Sequence, residues 1–200
     1  MIFMNEKSVK PEAPVSLRRG EKCSWLCLRA DSSEEVIDKL GLKQPRVCGW
    51  SSAADSEAPG IFVSPVLDGY VLVVDWKADV RESVRKPLDE TARSFSELQF
   101  FSFESRFDAY EWARYINGKL VRAYGFCGEM LSFLADVGEL TSEELELGFD
   151  KFPKRGESFD PVTFIPPLEK DLFNLAAAWG IDTSFTRKTY PESTGFLCDI

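Results

Sequence analysis

Histidine is absent from this 200-residue chain. Its absence excludes Ser-His and Cys-His nucleophile systems, imidazole acid-base catalysis and every zinc site that needs a histidine ligand. The chain also lacks a Walker loop and a Gly-x-Gly-x-x-Gly motif, so we expect no phosphate binding by a glycine-rich loop. The sequence therefore predicts neither a bound metal nor a cofactor.

Long apolar runs and paired cysteines are also missing. No apolar stretch approaches the length of a membrane span, and the first residues lack the basic segment and apolar run of a signal peptide. The cysteines are odd in number and show no Cys-x-x-Cys spacing: they are Cys23, Cys27, Cys48, Cys127 and Cys198. We therefore expect a cytoplasmic protein with reduced, mostly buried thiols and no membrane partner.

Positive charge is scarce, since 24 basic residues face 33 acidic ones and the formal net charge is −9. The acids are concentrated between Glu129 and Asp150, where seven carboxylates occur without a lysine or arginine. Negative charge repels nucleic acid backbones and attracts basic proteins. We therefore expect a basic protein partner and no nucleic acid.

The apolar content is high enough for one substantial core. Hydrophobic residues make up 44% of the chain and include 16 Phe and 5 Trp, which argues against intrinsic disorder. Residues 1–21 carry two prolines and many charges without a sustained period. We predict a mobile N-terminal arm over residues 1–21 and a single globular domain over residues 22–200.

Two short turns predict hairpins. Asn117-Gly118 lies between strand-like runs at residues 110–116 and 119–126, and Asp68-Gly69 precedes a continuously apolar run. Both dipeptides tolerate the positive φ angles of a type I′ turn. We take the hairpin around Asn117-Gly118 as the centre of the sheet. Its two-residue loop predicts that Arg114 opposes Val121 and that Arg114 and Arg122 lie on opposite faces.

Helix signals occur at four places. Capping boxes begin at Ser32 and Thr141, and Pro87 and Pro167 suit the first position of a helix. Together with the hairpins, these signals predict an α+β fold in which three or four helices pack on a mainly antiparallel sheet.

Carboxylate pairs remain possible as catalytic groups. A pair drawn from Asp108, Glu111 and Glu129, facing a pocket lined by Trp112 or Tyr124, could hydrolyse a glycoside. The alternative is that these acids are solvated or paired at the surface. Because one sequence gives neither the separation nor the pKa values of the carboxyls, this hydrolase is not the leading hypothesis.

The hairpin also offers a candidate anion or ligand contact. Arg114, Arg122 and Trp112 could form a binding site for a small molecule, or the arginines could pair internally with Glu111 or Glu129.

The leading hypothesis is a non-catalytic protein-binding module. The acidic segment would steer a basic partner, and an aromatic side chain of the hairpin would anchor it. The alternative is that these acids only solubilise the start of a helix. The residues assigned to the interface are Tyr124, Glu129, Glu139, Glu143, Glu144 and Glu146.

Several blocks are similar to those of a group of uncharacterised bacterial proteins. The resemblance rests on Phe62-Val-Ser-Pro65 with the run that follows Asp68, on residues 120–129, and on Gly138-x-x-Thr141-x-Glu-Glu-x-x-x-Gly148. It covers roughly residues 60–150 and the segment 172–179. Members often carry a histidine near Ser105-Arg106, which this chain lacks. The resemblance implies a cytoplasmic bacterial accessory protein without an attached activity, and by analogy a toxin-neutralising immunity protein.

Overall fold

A computed structural model of the chain describes residues 9–55, 60–77, 79–84, 86–158, 160 and 163–199. These residues form one nine-stranded sheet in which every neighbouring pair is antiparallel. The strands are β1 (Lys22–Arg29), β2 (Lys43–Cys48), β3 (Ile61–Val63), β4 (Tyr70–Asp75), β5 (Glu97–Glu104), β6 (Ala109–Ile116), β7 (Lys119–Cys127), β8 (Ser132–Val137) and β9 (Gly195–Asp199). Their order across the sheet is β2-β9-β3-β4-β1-β5-β6-β7-β8.

Helices cover both faces of the sheet. On one face, α1 (Ser33–Leu40), α3 (Val80–Val84) and α4 (Leu88–Ala92) pack their apolar side chains into one buried cluster. On the other face lie α2 (Trp50–Ala54), α5 (Ser142–Glu146), α6 (Glu169–Trp179) and a 3₁₀ turn (Phe149–Lys151). The predicted α+β class with a mainly antiparallel sheet is confirmed.

The described residues contain six α-helices, against the three or four predicted. The two that the sequence did not indicate, α2 and α3, have five residues each, which is too short to show a helical period. In α2, the backbone N–H of Ser51 donates to the distant carboxylate of Glu12 at 2.6 Å. That helix start is thus capped by a tertiary contact, which no local pattern reveals.

The centre of the sheet is β1, not the hairpin around Asn117-Gly118. Strand β1 is fifth in the order, and β6 and β7 are seventh and eighth. Six of the eight residues of β1 are buried, because both helical layers cover that strand. The expectation of a central hairpin was therefore wrong, since a strand apolar on both faces is the better mark of the middle of a sheet.

Both predicted turns have the expected backbone. The φ angles are 50° at Asn117 and 73° at Gly118, and 51° at Asp68 and 81° at Gly69. Positive φ at both central residues is the condition for a type I′ turn. Local residue chemistry therefore suffices to place these two reversals.

Residues 9–21 make defined contacts with the rest of the fold. Glu12 forms a β-bridge with Ser193, and the backbone N–H of Leu17 donates to the carbonyl of Thr183 at 3.0 Å. The Leu17 side chain is fully buried. Residues 1–8 of the predicted arm lie outside the described residues, and both the arm's mobility and the boundary at residue 21 stay predictions.

Candidate functional site

A bulge in the β6–β7 hairpin sets the geometry of the candidate site. Ile116 pairs with Lys119 next to the turn, but the register then shifts and Arg114 pairs with Arg122. Val121 is the extra residue that causes the shift. The two arginines therefore oppose each other on one face, and the prediction that they lie on opposite faces was wrong. Like charges placed directly opposite repel, so this arrangement needs carboxylates close by.

Arg114 is neutralised by acids from two other elements. Its Nε donates to Glu97 at 2.9 Å, and its Nη1 donates to Glu143 at 3.2 Å. Burial by itself would raise the pKa of Glu143, but hydrogen bonds to its carboxylate and the charge of Arg114 outweigh it and lower that pKa. The guanidinium also lies 5.4 Å from the ring centre of Trp179. Arg114 thus ties α5 and α6 to the hairpin.

Arg122 is neutralised in the same way by Asp136 of β8 and Glu144 of α5. The contacts are 2.9 Å from Nη1 to Asp136 and 3.1 Å from Nε to Glu144. Both arginines are thus paired internally. Neither of the carboxylates expected from the sequence, Glu111 and Glu129, takes part in these pairs.

Glu144 connects the helix start to the hairpin. Its Oε2 accepts the backbone N–H of Thr141 at 2.8 Å, which completes the predicted capping box. Its Oε1 accepts both the indole N–H of Trp112 at 2.9 Å and Nε of Arg122. A side chain that looks from the sequence like a solvated helix-start acid is therefore wholly buried and bonded at both oxygens.

Beside this cluster lies a pocket of about 370 Å³ between the hairpin, the end of β8 and the segment that follows α5. Aromatic rings form part of its walls, and charged side chains form another part. Trp112 and Tyr124 stack with ring centres 4.8 Å apart, and the Tyr124 hydroxyl donates to the carbonyl of Pro153 at 2.9 Å. We call this space the Arg122 pocket. Its lining includes Trp112, Arg122, Tyr124, Asp136, Glu139 and Leu140.

The acids and the aromatic ring that the sequence assigned to a partner interface fall into three groups. Glu143 is half-buried and paired with Arg114. Tyr124 and Glu144 are buried, with exposures of 2% and 0%, and they belong to the walls and support of the pocket. Glu129, Glu139 and Glu146 are exposed and are accessible to a partner.

The carboxylates considered for hydrolysis are not gathered at this pocket. Glu111 alternates with Trp112 along β6 and lies on the opposite face, where it accepts Nη1 of Arg81 at 2.9 Å. Burial raises the pKa of Glu111, and the charge of Arg81 opposes that rise only in part. Asp108 and Glu129 are exposed near the start of β6 and after β7. No arrangement of these three acids faces Trp112 and Tyr124.

The sequence did not indicate β8, which forms one edge of the sheet. Its six residues lie inside the stretch that stood out only for its acids. The signal that could have indicated this strand is the short apolar run within residues 132–137, which comes soon after the turn at Gly128. Five apolar side chains on or beside this strand are each at least 40% exposed. We call them the β8 edge surface: Val121, Met130, Leu131, Leu134 and Val137.

The described part of the chain offers neither a metal site nor a membrane-spanning helix. No group of three or more His, Cys, Asp or Glu side chains there could hold a metal ion. No helix there has the length and apolar character needed to cross a membrane.

The comparisons with known proteins add no function. No family model, curated protein or solved structure matches this chain. The resemblance to the group of bacterial proteins therefore stays a prediction. The β8 edge surface and the Arg122 pocket are the two features of the structure that indicate binding.

Proposed function

We propose that this protein is a non-catalytic binding module that takes up an extended, basic segment of a partner protein along β8. The observation that carries the proposal is the β8 edge surface. Exposed apolar side chains that are grouped on a protein surface mark interaction sites. Here two of the five lie on β8 and the other three adjoin its ends, an elongated arrangement that favours a partner that is itself extended.

The edge position of β8 supplies the backbone part of such an interaction. β8 pairs with β7 on one side and has no strand partner on the other side among the described residues. An added strand hydrogen-bonds to a free edge through its main chain, and side chains at alternate positions give specificity. Arg155 contacts β8 at two points: its side chain donates to the carbonyl of Phe133 at 3.3 Å and its backbone N–H donates to the Asp136 carboxylate at 2.9 Å. Docking of a strand therefore requires the Arg155 side chain to leave the Phe133 carbonyl.

The two edges of the sheet differ in protection. The opposite edge, β2, is exposed along most of its length and carries Lys43, Pro45 and Arg46. Charged residues and proline on an edge strand prevent pairing with another chain. On β8, the charged residue is Asp136, and it is bonded to Arg122. β8 therefore lacks the outward-facing charge that protects β2.

Charge supports a basic partner. Glu129 precedes β8 and Glu139 follows it, and both side chains are exposed. Carboxylates at the two ends of an apolar strand complement a partner strand with lysine or arginine near its ends. The net charge of −9 would speed the encounter at low salt. Inhibition by occluding the partner's own basic surface, the immunity-type role, is the form of binding that we propose.

A peptide-display selection on the purified protein tests this proposal. We expect the selected peptides to alternate apolar residues and to carry basic residues near both ends. Leu134→Lys places a charge on the edge and should weaken binding of those peptides about tenfold or more, the loss expected when an interface anchor is removed. The matched control is Val47→Lys on β2, where the native side chain is 51% exposed and binding should not change.

Two outcomes would overturn the proposal. One is a selection without basic enrichment whose peptides bind the Leu134→Lys variant as tightly as the native protein. The other is a native protein that sediments as a dimer and becomes monomeric on Leu134→Lys, since a second copy would then occupy the edge. For an inhibited partner enzyme, activity should return when the Leu134→Lys variant replaces the native protein.

A further inference from the structure

Arg122 is a buried cation with part of its donor capacity unused. The side chain is 4% exposed. Its Nε and Nη1 donate to Glu144, to Asp136 and to the carbonyls of Val137 and Gly138, at 2.9–3.2 Å. Nη2, which carries two N–H groups, makes no hydrogen bond to the described residues.

The unused Nη2 group is open to the pocket. In the described part of the chain, five fully enclosed side-chain atoms lack a hydrogen-bond partner, and Nη2 of Arg122 is not one of them. They lie on Trp25, Trp76, Thr91, Gln99 and Thr183. Arg122 itself lines the Arg122 pocket. A donor that faces an accessible space is bonded by water when no ligand is present, and an acceptor atom of a ligand can replace that water.

The charges around the pocket exclude an anion as the preferred ligand. Arg122 already faces two carboxylates, those of Asp136 and Glu144, so this inner group has an excess of one negative charge. The rim adds two acids and two bases, and it is balanced: Glu139, Glu157, Lys154 and Arg155. An added negative charge would meet net repulsion, whereas an uncharged acceptor oxygen would not.

The neighbouring groups indicate what accompanies that oxygen. Asp136 lies beside Arg122 and lines the same pocket. Its Oδ1 accepts from Arg122 and its Oδ2 from the backbone N–H of Arg155, and each oxygen keeps a second lone pair, so a donor and an acceptor stand next to each other. An amide presents the complementary pair, a carbonyl oxygen next to an N–H. The aromatic walls at Trp112 and Tyr124 favour a flat ring next to the amide, and about 370 Å³ is within the range of small-molecule sites.

We infer that the Arg122 pocket binds a small uncharged molecule in which an amide or ring lactam is attached to, or part of, a planar ring. The carbonyl oxygen accepts from Nη2 of Arg122, and the amide N–H is directed at the carboxylate side of the pocket. This site adjoins the proposed peptide-binding edge at Asp136 and Glu139, but it lies on the other face of the sheet from Leu134, the residue that tests the edge. The side chain of Leu134 lies on the Glu111 face of the sheet, whereas the pocket lies on the face of Trp112.

Three fragments of equal ring size test the charge of the ligand: benzamide, benzoate and benzamidine. Each is titrated into the ¹⁵N-labelled protein while the indole N–H signal of Trp112, assigned with Trp112→Phe, is followed. We expect benzamide to shift this signal with a dissociation constant in the millimolar range, as fits a fragment of this size. Benzoate and benzamidine should bind at least about tenfold more weakly.

Two variants test the location. Leu140→Trp fills the pocket without touching the ion pairs and should abolish the benzamide shift while the protein stays folded. Arg122→Lys keeps the charge but removes Nη2, and should weaken benzamide about tenfold; its fold is checked by thermal unfolding. The exposed Glu146→Gln is the matched control and should bind benzamide normally.

Each remaining outcome overturns the inference. No fragment binding at Trp112 would show that the pocket takes no ligand of this class. Tighter binding of benzoate would assign an anion site, and tighter binding of benzamidine a cation site. Benzamide binding that survives Leu140→Trp would place the ligand elsewhere. The fragment titrations on the native protein do not depend on Leu134, so their failure leaves the proposed peptide binding unaffected.

Discussion

Removing the carboxylate of Glu144 should destabilise the protein more than removing any other carboxylate in the acidic segment. In Glu144→Gln, the amide oxygen can still accept from Trp112 and Arg122, but its NH₂ group then faces the backbone N–H of Thr141. If the amide is flipped, the NH₂ group instead meets the two other donors. Either orientation leaves donors opposed in a site with no exposure to water.

The size of the effect follows from the buried ion pair. Removing one partner of such a pair costs about 3–5 kcal/mol, because the remaining charge stays buried. Asp136 still pairs with Arg122 at 2.9 Å, so we expect the lower end, about 3 kcal/mol, for Glu144→Gln. Glu144→Ala also leaves a cavity and three unsatisfied donors, and we expect about 5 kcal/mol. In a protein of this size, 3 kcal/mol lowers Tm by roughly 6–12 °C.

Urea unfolding followed by tryptophan fluorescence measures these losses. Glu146→Gln, on the exposed side of the same helix, is the control and should change the free energy of unfolding by less than about 0.5 kcal/mol. A loss below about 1 kcal/mol for Glu144→Gln would refute the reasoning. It would mean that Glu144 is solvated in solution and that Arg122 is paired by Asp136 alone.

Three further predictions concern backbone space, pH and thiols. Gly138→Ala should lower the free energy of unfolding in urea by roughly 2–4 kcal/mol, because φ is +78° and a Cβ would lie 2.1 Å from the carbonyl oxygen of Val121. The control is Gly41→Ala, at φ +70° but in open space, which should lower it by only about 1–2 kcal/mol. Equal losses would contradict the contact with Val121. The lowered pKa of Glu143 means that its stabilisation is present above the ordinary glutamate pKa of about 4.3 and is lost as the pH falls through the lower, folded-state pKa. Glu143→Gln should therefore reduce Tm at pH 7, and the difference should shrink as the pH is lowered through the acid range; a difference that stays constant down to the lowest pH at which the protein is folded would exclude the charge as its cause. In the native protein, a thiol reagent should modify Cys48 alone, because the other four cysteines are buried. The reaction should be slow, because burial raises the pKa of Cys48. All five thiols should react in denaturant, and rapid reaction of two or more thiols in the native protein would contradict the fold.

Features that depend on neighbouring residues were predictable from the sequence. The turns at Asn117-Gly118 and Asp68-Gly69 and the capping box that begins at Thr141 have the predicted local geometry. Each depends on the φ preferences or side-chain reach of residues within about four positions of one another. The α+β class follows from the same local signals, because amphipathic helices and antiparallel strands must bury their apolar faces on one another.

The candidate sites depend on contacts between distant parts of the chain. The bulge at Val121 moved Arg114 and Arg122 onto one face, and a shift of one residue in register reverses the face of every later side chain. No local pattern predicts this bulge. The residue that lies close to the Val121 carbonyl is Gly138, which follows β8 and is distant along the chain.

The roles of the acidic residues were likewise decided by tertiary structure. The sequence determined that carboxylates crowd residues 129–150 and that Glu144 completes a capping box. Only the packing of α5 on the hairpin placed Glu144 against Arg122 and left Glu139 at the rim of the pocket. Only the order of the strands made β8 an edge. The physical reason is that burial and pairing depend on which elements become neighbours in space, whereas composition and turn chemistry are fixed along the chain.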